Sequence, residues 1–248
     1  PPRSTRKESS AASDVYKRRA NNYLQYYYHA WSSEIIYFLN QQRSLLALQK
    51  AEKMKKQAFA DRYPYGIFSC IRTMGHIYKS RGNFDLSAQY YQEALDYMLK
   101  NMPDQDPSQL YSSLAEYYRN TQKDYATALD YCEKALKSAK TERNIAQAMI
   151  EKCLVLFRQG RIDEFNDCYK EAVQMADRCK LSASVSLLIA HISKNILDKQ
   201  YEQAHAHADQ LSEEGLQQHA YIYECAKDYP NAIKYLKKYH QQLDSTNN

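Results

Sequence analysis

The sequence predicts an all-α protein, and three observations carry that prediction. Only five Gly and six Pro occur among 248 residues, about 4% where ordinary composition gives roughly 12%. Sheet-rich folds need those residues at their turns, so a sandwich, a barrel or a nucleotide-binding α/β sheet is disfavoured. Apolar residues make up 44% of the chain, and 24 Tyr add rings suited to half-buried helix faces. Small and aromatic residues also recur at helical spacing through several successive segments. This composition supports a packed core and is unlike that of a disordered chain.

The elements follow in order. Residues 1–13 are rich in Ser, Ala and charge and read as a basic, flexible leader; a helical domain is expected over 14–243 and a short polar tail over 244–248. From about 15 to 57 two helices are expected, with Leu45, Leu48, Ala51 and Met54 as an apolar stripe. Between Ile71 and Leu95 the small residues Gly75 and Ala94 stand where two helices would cross closely. Tyr78 and Tyr91 fill the wider gaps, and Gly82-Asn83 supplies a turn. Residues 101–107 hold Pro103 and Pro107 and form a loop. The pattern returns at Tyr111, Leu114-Ala115, Tyr118, Ala128, Cys132 and Ala135, with one extra residue before Tyr125. It returns again at Cys153, Leu156, Gly160, Ile162, Phe165, Tyr169 and Ala172. Two weaker units follow, one with a helix at about 183–197 before Tyr201 and Ala204, the other with Ala220, Tyr223, Tyr229, Ala232 and Leu236.

The segment Ile71–Leu95, with Ile71, Met74-Gly75, Tyr78, Ser87, Tyr91 and Ala94 at the signature positions, resembles the tetratricopeptide repeat (TPR), an antiparallel helix pair of about 34 residues. The resemblance implies a right-handed α-α superhelix, a TPR solenoid of about five repeats plus a degenerate N-terminal helical pair. It also implies non-catalytic binding of a protein or peptide segment in a groove lined by the first helix of each repeat. In that register the groove presents Arg72, His76 and Lys79, then Glu116 and Arg119, then Ile150, Leu154 and Phe157, and last Tyr221. The basic trio could equally be a solvated face. The apolar trio either forms an exposed patch or is covered by the curvature of the stack. One subfamily of the repeat grips a chaperone C-terminus with cations on its third repeat. Glu151 at such a position contradicts that assignment.

Several function classes are excluded or disfavoured. No Gly-rich phosphate loop, Gly-x-Ser-x-Gly elbow or His-Glu-x-x-His occurs, and His205 and His207 are two apart, so on a helix they cannot face one ion. No catalytic residue, metal or cofactor is expected, and the chain is not read as an enzyme. The formal charge of +5 is concentrated in Arg3, Arg6, Lys7, Lys17, Arg18 and Arg19, which leaves the body nearly neutral and argues against direct nucleic-acid binding. The longest uncharged apolar run, Leu181–Ser193, is too short to span a bilayer, so any membrane tether would lie in flanking regions. The six Cys lack metal spacing and are expected to be mostly unpaired and buried, which favours a reducing compartment. The C-terminal run Tyr235-Leu236-Lys237-Lys238-Tyr239-His240 resembles the close of the repeat region in bacterial membrane-anchored regulators. That resemblance implies a bacterial signal-transduction or transcription-regulating parent with the repeats on its extracytoplasmic side. The alternative is a cytoplasmic scaffold for protein-complex assembly.

Overall fold

A computed structural model describes residues 23–181, 184–211 and 215–246. The expected leader at 1–13 and the side chains of the expected tail at 244–248 lie outside the described residues. Among those described every regular element is helical. The chain divides into two compact units, one ending at Gln105 and one beginning at Asp106.

The first unit holds α1 (23–40), α2 (Ser44–Ala60), α3 (Pro64–Ser80) and α4 (Phe84–Asn101). Pro64 opens α3 at a position whose N–H has no helical partner, and the Asn83 side chain caps α4 by accepting from Leu86 N at 3.2 Å. The inward face of α2 is Ala47, Ala51, Met54 and Ala58. Leu45, expected within that stripe, is 69% exposed, because it stands about 200° around the helix from Ala47. At the α3–α4 crossing, a Cβ on Gly75 would sit 2.6 Å from the Tyr91 ring, so glycine is what lets the ring in. Ala94 is fully buried beside it, as the repeat register requires. Tyr78 stacks on Tyr90 at 5.4 Å between centroids.

The second unit runs α5 (Ser108–Tyr117), a π-helical turn (Tyr118–Gln122), α6 (Tyr125–Ser138), α7 (Glu142–Arg158), α8 (Ile162–Arg178), α9 (Val185–Leu197), α10 (Tyr201–Ala208), α11 (Gly215–Cys225) and α12 (Tyr229–Thr246). Side chains of Asp124, Thr141 and Ser184 cap α6, α7 and α9. The extra residue read before Tyr125 is the π-helical turn itself: one residue added to a helix is accommodated by a wider loop of backbone. The repeat positions Ala128, Cys132, Ala135, Cys153 and Ala172 are all interior.

Most helices end by one device. Residues in the left-handed region close eight turns, two of them glycines, Gly82 and Gly160, and six not: Gln42, Arg62, Lys123, Lys180, Lys199 and Lys227; α4 and α6 end without one. At Gly82 the pattern is fully formed, with Gly82 N donating to Lys79 O at 3.0 Å and Asn83 N to Tyr78 O at 2.9 Å. This reconciles so many tight turns with so few glycines. Each non-glycine residue there gives up about 1 kcal/mol of backbone energy.

Candidate functional site

A cleft of about 310 Å³ opens in the first unit between α1 and α3. Its α1 wall is His29, Ser32, Ser33, Ile36, Tyr37 and Asn40, spaced so that all fall on one helical face; its α3 wall is Arg72, Thr73 and His76. Small polar side chains hold the two walls together at the base. Ser32 Oγ and Ser69 Oγ are 2.6 Å apart, and Thr73 Oγ1 donates to Ser69 O at 2.7 Å. Tyr28 anchors α1 by donating to Asp61 Oδ2 at 2.5 Å, its ring lying over Gly66.

Among the described residues the cleft has one cation and no carboxylate in its lining. Arg72 extends over the Phe68 ring, 5.3 Å from the centroid, a contact that supports a guanidinium without neutralising it. Its Nε is buried and has no hydrogen-bond partner among the described residues. Burial pulls the Arg72 pKa below its ordinary value, yet a guanidinium stays charged at any physiological pH. A buried N–H left unpaired costs about 1–3 kcal/mol. An incoming carboxylate or other anion would meet the uncompensated charge of this guanidinium at the cleft wall. His76 stands one turn further along α3, its Nδ1 2.9 Å from Tyr91 Oη. The orientation of this imidazole therefore depends on Tyr91, and Tyr91 depends on Gly75.

The other groove candidates fall elsewhere. Lys79 is half-buried on α3 and does not line the cleft. Glu116 is half-buried on α5. Arg119 is not a groove cation: only 4% exposed, it donates from Nε to Glu151 Oε1 at 2.7 Å and from a terminal nitrogen to Asn120 Oδ1 at 2.8 Å. Burial acts to depress the Arg119 pKa, but Glu151 outweighs it and the net direction is up. Glu151 thus serves as an internal counter-ion. Ile150 and Leu154, 1% and 2% exposed, are core residues, because Leu187 and Ala190 of α9 cover that face of α7. Phe157 is half-buried against the Phe165 ring at 5.5 Å. Tyr221 carries the Arg158 guanidinium 4.8 Å above its ring, and burial pushes its phenol up to about 12.

Sequence reasoning found Arg72 and His76 and missed the α1 wall. The signal was present: His29, Ser32, Ser33, Ile36 and Asn40 repeat at helical spacing. Without the small-residue signature of the later repeats, nothing in α1 set its register.

Residues 73–97 match the tetratricopeptide repeat family model. No curated protein matches the chain in sequence. Among solved structures, the chain is similar to the Rap conjugation gene regulator of plasmid pLS20 in complex with the Phr* peptide. Identity is 14%, covering 95% of this chain and 71% of that one, at a TM-score of 0.69. It is also similar to NprR in complex with its cognate peptide NprX, at 12% identity, 98% and 77% coverage and a TM-score of 0.56. PilW, a type IV pilus biogenesis factor, is a third, at 14% identity, 85% and 91% coverage and a TM-score of 0.55. The chain has the tetratricopeptide-type helical-repeat fold, and residues 73–97 form one such repeat. No helix among the described residues is long and apolar enough to cross a membrane.

Proposed function

We propose that this chain is a non-catalytic peptide- or protein-binding domain, and that an acidic group of the bound segment seats in the α1–α3 cleft against Arg72. The observation that carries the reading is the buried, unpartnered Nε of Arg72 in a cleft whose lining holds no carboxylate. The hydroxyls and amide of Ser33, Tyr37 and Asn40 at the same cleft suit the backbone of an extended segment. The likeness to Rap and NprR, each solved with a peptide bound, supports the finer reading as the ligand-sensing part of a bacterial signal-transduction or transcription-regulating protein. The likeness to a pilus biogenesis factor favours the second reading, a scaffold for complex assembly.

An immobilised library of short peptides graded in acidic content tests the shared part. Acidic peptides are expected to be retained, with binding that weakens as salt rises and falls about tenfold or more on Arg72→Gln. Retention indifferent to both salt and Arg72 would overturn the cleft assignment. Identifying the retained parent-cell partner as a short secreted peptide or as a subunit of an assembly then separates sensor from scaffold.

A further inference from the structure

The six cysteines are free, but two of them are not isolated. Cys153 of α7 and Cys168 of α8 bring their sulfurs to 2.7 Å, the thiol of Cys153 donating to Cys168 Sγ. That separation is within about 0.7 Å of an S–S bond length. The two differ in surroundings. Cys153 is fully buried, whereas Cys168 is half-buried, its own thiol donating to Met149 O at 3.5 Å. The hydrogen bond from Cys153 favours the thiolate of Cys168 over the opposing effect of burial, with Lys152 adding to it, so the pKa of Cys168 lies below its ordinary value; that of Cys153 lies above. Cys70 and Cys132 are buried thiols pushed upward by burial, and Cys179 is tied to the carbonyl of Ala176 in its own helix.

We propose that Cys168 and Cys153 form a hydroperoxide-reactive modification site that closes to a reversible disulfide between α7 and α8. The thiolate of Cys168 attacks the terminal oxygen of a hydroperoxide. An S–O bond forms, the O–O bond breaks, and the alkoxide or hydroxide leaves and takes up the proton lost by the thiol. The thiol of Cys153 then attacks the Cys168 sulfenic acid: S–S forms, S–O breaks, and the released hydroxide leaves as water with the Cys153 proton. The two thiols lose two electrons and the hydroperoxide gains them. Cys168 is the attacking residue because it is the less buried of the two, and Cys153 resolves it because its sulfur is already in contact. A disulfide here fastens the α7–α8 hairpin within the core cluster that holds Cys153 and Phe165.

The experiment treats the folded chain with hydrogen peroxide and follows free thiols, intact mass and cross-linked peptides. The expected result is loss of two of the six thiols, a mass lower by two hydrogens, one peptide pair joining Cys153 to Cys168, and full recovery with dithiothreitol. Cys168→Ser should slow thiol loss by about tenfold or more. Cys153→Ser should leave Cys168 as a sulfenic acid that dimedone captures, which keeps the test informative if either variant folds poorly. A cross-link that joins Cys168 to Cys132, dimedone capture confined to another cysteine, or thiol loss that occurs only after unfolding in urea would overturn the proposal.

Discussion

The α3–α4 and α5–α6 repeats share a register and each sinks an arginine into its packing, yet the two arginines face opposite surroundings. Arg119, in the π-helical turn, meets Glu151 at 2.7 Å inside the second unit. Arg72, in regular helix of the first unit, has a buried Nε with no partner among the described residues and opens onto a cleft. The added residue in the α5–α6 repeat shifts the helix phase at its end, and Arg119 lies within the widened turn. A buried cation with its counter-ion in place is part of the structure. A half-buried cation without one keeps an unpaired N–H in the fold and its charge at the cleft wall, open to a ligand.

That contrast predicts unequal responses, the largest first. Glu151→Gln leaves the Arg119 guanidinium buried beside a neutral amide and should destabilise the chain by about 3 kcal/mol. Chemical denaturation checks this, and an unchanged midpoint would dissolve the contrast from the second unit's side. Gly75→Ala puts a methyl group into the Tyr91 ring and should cost about 1–3 kcal/mol. It should also loosen His76, seen as a change in its imidazole NMR signals, with a smaller loss of stability if the Tyr91 ring is first removed by Tyr91→Leu.

Acid should separate the units by another route. Burial, then the stacked ring of His207, lowers the His191 pKa; burial, then His219, lowers that of His205. The unfolded chain therefore binds more protons than the folded one, and this contribution is present above the ordinary histidine value near 6.5 and is lost as pH falls from there through the lowered folded values. The second unit, which holds all four rings, should lose amide protection at pH 5.5 before the first does, as hydrogen exchange would report. Equal loss in both units would contradict this. The smallest effect concerns the turns: Lys123→Gly relieves a left-handed lysine at φ 56° and should raise stability by about 0.5–1 kcal/mol. Gly82→Lys at the matching turn, φ 72°, should lower it by a similar amount.

The helix pairs were legible because their signature is steric. A Cβ on Gly75 would strike the Tyr91 ring, and Ala94, Ala135 and Ala172 are buried at the repeat's other small positions. Cys132 and Cys153 were legible as interior for the same reason. The cleft was half legible. Arg72 and His76 share a helix whose register the repeat sets, whereas the opposite wall lies on α1, where Ser and Tyr stand in place of the small-residue pairs. What lies across from a side chain cannot be read along one helix. That is why Arg119 and Ile150 looked like groove residues until Glu151 and the α9 side chains were seen to cover them. The Cys153–Cys168 contact was hidden likewise, since it joins facing positions on two helices.

The central claim, that Arg72 is kept for a ligand and Arg119 for the fold, is tested most directly by equilibrium urea unfolding of Arg72→Met beside Arg119→Met. Methionine keeps much of the aliphatic stem and removes the charge. The account predicts that Arg119→Met falls by about 3 kcal/mol, since Glu151 stays buried and loses its cationic counter-ion. It predicts that Arg72→Met stays within about 1 kcal/mol of the parent or rises above it, since only the Phe68 contact is given up. An Arg72→Met variant that falls as far as Arg119→Met would show that Arg72 already has its partner within the fold, and would contradict the account.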